Sequence, residues 1–154
     1  MKNFKEFVNA GIIKKIFPNK SKARDLFQES ERKKTQLAKI LKLIGLFDEN
    51  ANDAVEYCYD IIMYTLRAKL YLMGLKSAGE GAHEAEISYM RKLGFSEKET
   101  LIMNDLRYHR NGIQYYGKSF DKNYARKVLE FLDRMYPILK NIAGKMWYHG
   151  IFWG

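Results

Sequence analysis

A chain of 154 residues that is 47% apolar and 29% charged has the size and balance of one folded domain, which excludes a disordered chain. Only 2 Pro and 11 Gly exclude a Pro-rich linker or a collagen-like repeat and argue against a turn-dense all-β design. The 27 Lys and Arg outnumber the 18 Asp and Glu by nine, which favours polyanionic partners, nucleic acid foremost, while the single Cys58 excludes an intramolecular disulfide and a multi-cysteine zinc site and points to a cytoplasmic setting.

The opening segment MKNFKEFVNAGIIKKIF reads as one amphipathic helix packed on the body of the protein. Lys14 and Lys15 interrupt any secretory apolar core. No segment approaches the roughly 18 consecutive apolar residues of a membrane span. Residues 1–50 hold 12 basic and 6 acidic residues, so most of the positive excess lies in the first third. From Lys14 to Lys42, lysines alternate with Leu26, Leu37, Leu41 and Ile44, the pattern of a helix with one buried stripe and one solvated basic face.

Asn50 or Asn52 is placed to cap the next helix. Its apolar residues Val55, Cys58, Ile62, Leu66, Leu70 and Met73 recur every three or four positions and so share one face. Gly74 and the stretch SAGEGAH end it. A short helix spans about Ala82 to Leu93, with Gly94 as its stop. Ser96 and Glu99 form an S-x-x-E capping box for a helix whose stripe is Ile102, Leu106, His109, Ile113 and Tyr116, and Gly117 is placed to end it. Asp121 opens a last long helix with Tyr124, Val128, Phe131, Leu132, Met135, Leu139, Ile142 and Met146 inward, and Pro137 should kink it or delete one backbone hydrogen bond. No strand alternation, hairpin dipeptide or internal repeat is visible. The expected architecture is an all-α, antiparallel bundle of four or five helices in a single domain. Within it, residues 1–50 are basic helices, 51–142 the core and 143–154 an aromatic tail that covers the bundle end.

The densest chemistry is LRYHRNGIQYYGK, Leu106 to Lys118. Arg107, Arg110 and Gln114 share one helical face, and Asn104, Asn111 and Tyr115 form the adjacent strip. Asn111-Gly112 inside a helix is unfavourable by propensity, which signals a place where function or close packing overrides local preference.

These segments resemble a HEPN domain (higher eukaryotes and prokaryotes nucleotide-binding) from about Ala51 to Ile142. The parts that carry the resemblance are the helix VEYCYDIIMYTLRAKLYLMGLK, His83 in GAHEAEISYMRK, the LRYHRNGIQYYGK segment and the long helix after it. In that family an Arg, often followed by Asn, precedes a His by four to six intervening residues. Arg110 and Asn111 match the start of the motif, but after four intervening residues stands Tyr115, followed by Tyr116 and Gly117, so the His is missing. The resemblance implies a helical homodimer with its two motifs in a shared cleft, no cofactor, and either metal-independent ribonuclease activity or a binding role. It also implies a minimal nucleotidyltransferase as a partner in a toxin–antitoxin pair.

The missing His weakens the catalytic half of that expectation. A free Tyr titrates near 10 against about 6.5 for a His, and closing its gap of about three units to neutral pH takes roughly 4 kcal/mol. The first reading is therefore a module that binds RNA or a nucleotide phosphate, or a nucleotidyltransferase partner. In it Arg110 holds phosphate, Arg107 and Lys118 add charge, Asn111 and Gln114 orient, and Tyr115 and Tyr116 supply hydroxyls or a stacking face. The alternatives are a ribonuclease toxin using Arg110 with Tyr115 or His109, and a dimeric interaction protein in which RNGIQYYG is a packing element. Read on its own, His109 sits on an apolar stripe as a core histidine. His83 with Glu84 and Glu86 reads as helix-terminus charge rather than a metal site, Cys58 as packing, and Asp53, Glu56 and Asp60 as a solvated helix face.

Overall fold

The computed structural model describes residues 1–146, with side chains through residue 143. It is an all-α bundle of four long helices with two short ones: α1 (Phe4–Asn9), α2 (Lys20–Leu43), α3 (Asp48–Leu72), α4 (Ala82–Ser88), α5 (Glu97–Tyr116) and α6 (Lys122–Met146). A 3₁₀ turn, Tyr89–Leu93, continues α4, and Gly94 at φ 94° stops it. No described helix is long and apolar enough to cross a membrane. Residues 143–146 of the expected aromatic tail continue α6, and the rest of it, including His149, lies outside the described residues.

Helix α3 is the axis. It packs against α2, α4, α5 and α6, so burial extends beyond the expected stripe to Tyr59, Ile61, Met63 and Thr65. The predicted Val55, Cys58, Ile62, Leu66 and Leu70 are all buried, and they join Val128, Phe131, Leu132, Met135 and Leu139 of α6, or the smaller cluster around Phe4 and Phe7. Thr65 and Ser30 bind each other at 2.8 Å, and both hydroxyls reach the Ile61 carbonyl, which satisfies the polar groups buried where α2 meets α3. The expected start of α6 at Asp121 holds, since Asp121 Oδ1 accepts from the Tyr124 N–H at 2.9 Å. Helix α6 runs unbroken through Pro137.

Several expectations are corrected. The N-terminal segment is not one helix: α1 ends at Asn9, Gly11 turns the chain at φ 76°, and Ile13–Lys15 forms a strand, β1. β1 pairs antiparallel with β2 (Leu75–Ser77), Ile13 opposite Ser77 and Lys15 opposite Leu75. Three-residue strands are too short to display a period of two, so they leave no trace in the pattern. The ribbon is held at Gly74, where φ is +71° and an added Cβ would lie 2.7 Å from the Ile16 carbonyl oxygen.

Helix α3 begins at Asp48, earlier than an Asn50 or Asn52 cap requires. Asn50 instead reaches back, accepting the Phe47 N–H and donating to the Gly45 carbonyl, both at 2.8 Å. Ile44, Met73 and Tyr116 were expected inside but are 64%, 49% and 80% exposed. Each lies in or just beyond a helix's last turn, where the stripe has outrun its partner.

Candidate functional site

The capping box expected at the head of α5 is formed. Ser96 Oγ accepts the Glu99 N–H at 3.1 Å, and Glu99 accepts the Ser96 N–H at 2.8 Å. The helix ends at Gly117, φ 63°. The Asn111-Gly112 irregularity has a packing cause. Gly112 is buried, and a Cβ there would stand 3.2 Å from Lys118 Cδ, because the chain folds back over the helix end. Asn52 of α3 ties that return down, donating to the Lys118 carbonyl and accepting the Phe120 N–H, both at 2.9 Å.

Arg107 and Arg110, three residues apart, carry the charge that this helix contributes to the candidate site. Arg107 Nε donates to Asn104 at 3.0 Å. The Arg110 side chain is only 15% exposed. Its guanidinium lies 5.1 Å from the centre of the Tyr59 ring, a cation–π contact. Its one ion pair among the described residues is long, Nη2 to Asp60 at 3.7 Å, and Asp60 is shared with Lys33 at the same distance. Asp60 is thus no part of a merely solvated face, as expected for it, but a half-buried carboxylate between two cations. Arg110 Nε is buried and has no partner among the described residues. A guanidinium has five N–H donors, and buried donors are ordinarily paired.

Beneath the arginines, Tyr59 links two helices. Its ring carries Arg110, and its hydroxyl lies 3.3 Å from His83 Nδ1 on α4. Burial raises the phenol's pKa above its ordinary value, against the pull of Arg110, so the hydroxyl keeps its proton. Glu86, one turn beyond His83, is 1% exposed and forms a two-pronged pair with Arg67 of α3, Nε to Oε2 at 2.6 Å and Nη2 to Oε1 at 3.0 Å. His83 is exposed on one side and rims a pocket of about 250 Å³ with Arg67, Tyr71, Lys76 and Glu86. Its pKa is held below the usual histidine value, by partial burial first, with Arg67, Arg110 and Arg107 also lowering it and Glu86 opposing. Among the described residues no group of His, Cys, Asp and Glu side chains could hold a metal ion.

The other residues singled out in the sequence fall elsewhere. His109 Nδ1 is 2.7 Å from the Tyr124 hydroxyl, and its ring packs on Phe120 and Tyr124, both at 5.2 Å. Burial, with Asp105 adding to it, pushes the Tyr124 phenol up to about 12. Tyr115 and Tyr116 are 70% and 80% exposed. Gln114 and Lys118 are exposed, and Asn111 is half-buried. Five residues along a helix is about 140° of rotation, so Tyr115 does not share the face of Arg110. The fold therefore gathers Arg107 and Arg110 with Tyr59, Asp60, Arg67, His83 and Glu86, and leaves Tyr115, Tyr116 and His109 apart from them. Arg67 carried a faint signal, as a charge within the mostly apolar IIMYTLRAKLYL, whereas Glu86 carried none, standing among the polar His83, Glu84 and Ser88. Buried Cys58 has its thiol pushed up to about 12, mainly by burial.

A scan against protein-family models and searches of curated proteins and of solved structures return no match for this chain.

Proposed function

We propose that this chain is a HEPN-like helical module that binds RNA through its phosphates, with Arg110 as the central phosphate contact and with little catalysis of its own. One observation carries the reading. Arg110 is held in place by Tyr59 and Asp60, yet among the described residues its donors are left almost unused, with one ion pair at 3.7 Å and a buried Nε without a partner. A guanidinium fixed in this way and supported by Arg107 is preorganised for a phosphodiester. The separation of Arg110 from Tyr115, and the bond that ties His109 to Tyr124, support binding over strand cleavage.

The test is titration of a uridine decamer into the pure protein at several salt concentrations. Arg110→Met keeps the aliphatic stem and leaves Asp60 its contact with Lys33. It should weaken binding about tenfold or more and flatten the slope of log affinity on log salt by about 0.7, the share of one single-strand phosphate. Affinity unchanged in a folded Arg110→Met variant would refute the reading. Metal-independent cleavage of the decamer that depends on Arg110 would replace it with the ribonuclease.

A further inference from the structure

His83 is the histidine that meets the hydroxyl of Tyr59, the residue whose ring carries Arg110, and its surroundings give it a definite role. It meets Tyr59 and Arg67 from α3, Lys76 from β2 and Glu86 on its own helix, and the charges of Arg107 and Arg110 on α5 reach it past Tyr59, whose ring carries Arg110. Four of these six carry positive charge and one is anionic, but Glu86 is already engaged by both prongs of Arg67. A phenol that stays protonated donates to Nδ1, which puts the neutral imidazole's own hydrogen on Nε2. Nε2 makes no hydrogen bond to a described residue. His83 therefore offers a donor, not a base, at the hydroxyl end of the Tyr59 side chain whose ring carries Arg110.

We propose that His83 is a third, proton-gated donor of the anion site built by Arg107 and Arg110, so that the site grips a phosphodiester more tightly as the imidazole gains its proton. The inference rests on the reading of Arg110 as a phosphate contact and adds the regulation of that site. Its physical cause is mutual. The guanidinium charges disfavour a proton on His83, and a bound phosphodiester offsets them, so binding draws the proton in. A protonated imidazole then donates a charge-assisted bond in place of a neutral one. The ligand does not titrate over this range, because a phosphodiester stays singly charged.

The experiment is calorimetric titration of the uridine decamer at fixed ionic strength from pH 5 to pH 7.5, with the wild type, His83→Gln and Arg110→Met. Gln keeps a neutral donor and cannot take up the proton. Wild-type affinity should fall about five- to tenfold as pH rises across this range, the difference between a charged and a neutral hydrogen bond. The His83→Gln profile should be flat at the weaker level. In parallel, the NMR titration midpoint of the His83 ring should move upward at saturating decamer, a shift that a purely structural histidine would not show. Equal pH profiles for the wild type and His83→Gln, or an unmoved His83 midpoint, would overturn the gating while binding that still depends on Arg110 leaves the phosphate reading intact. Binding indifferent to Arg110→Met would remove both.

Discussion

Gly112 tests whether the motif region is shaped by close packing or by local preference. Replacing Gly with Ala inside a helix gains about 1 kcal/mol from propensity alone. The new methyl is buried, and burying a methylene-sized group adds up to about 0.8 kcal/mol. Against this stands one contact, the Lys118 stem, with Cδ 3.2 Å and Cγ 3.7 Å from the added Cβ. The Lys118 backbone is fixed, its N–H on the Gly112 carbonyl at 3.2 Å and its carbonyl held by Asn52. The stem, however, ends in solvent and can swing by a few tenths of an ångström. Gly112→Ala should therefore stabilise the fold by about 0.5–1 kcal/mol after that adjustment. For a chain of this length the shift in melting temperature is then roughly 1–4 °C upward. Urea and thermal unfolding followed by circular dichroism measure both. A loss of more than about 1 kcal/mol would refute the reasoning, because it would mean that the Lys118 stem cannot yield and that this return of the chain is rigid.

Gly74 should answer in the opposite direction. Its φ of +71° is in the left-handed region and its added Cβ would strike a backbone oxygen, Ile16 O, at 2.7 Å, so Gly74→Ala should destabilise by about 2 kcal/mol or more in the same urea assay. Glu86→Gln removes the charge that faces Arg67 in a pair with one almost wholly buried partner. It should destabilise by about 3 kcal/mol, the low end for a buried pair because Arg67 is a quarter exposed, and a loss under about 1 kcal/mol would show that water, not Glu86, satisfies Arg67.

The parts of the fold that were legible in the sequence are those set by local chemistry. The α3 stripe from Val55 to Leu70, the Ser96 box, the glycine stops at Gly94 and Gly117 and the Asp121 start depend on residues within one or two turns of each other, and each is found as read. What was not legible depends on partners far along the chain. The β1–β2 ribbon joins residues some 60 positions apart, and Asn52 reaches Lys118 and Phe120 rather than its own helix end. Tyr116 obeys the helical period but lies beyond the last residue able to cover it.

The candidate site divides along the same line. Arg107 and Arg110 stand out locally because they sit in one dense segment of α5. Tyr59, which sets the posture of Arg110, lies on a helix whose apolar residues read as core, and a buried Tyr there looks like any large apolar side chain until its hydroxyl is seen against His83. The site exists because α3 presents its ring to α5 and its hydroxyl to α4. Its cationic character therefore does not come from the lysine-rich first third of the chain, whose α2 lysines line a helix face and contribute to this cluster only through Lys33 at Asp60. A basic surface of that kind attracts polyanions without selecting where they bind. The few half-buried charges around Tyr59 can select, because desolvation strengthens each contact they make and each contact they are denied.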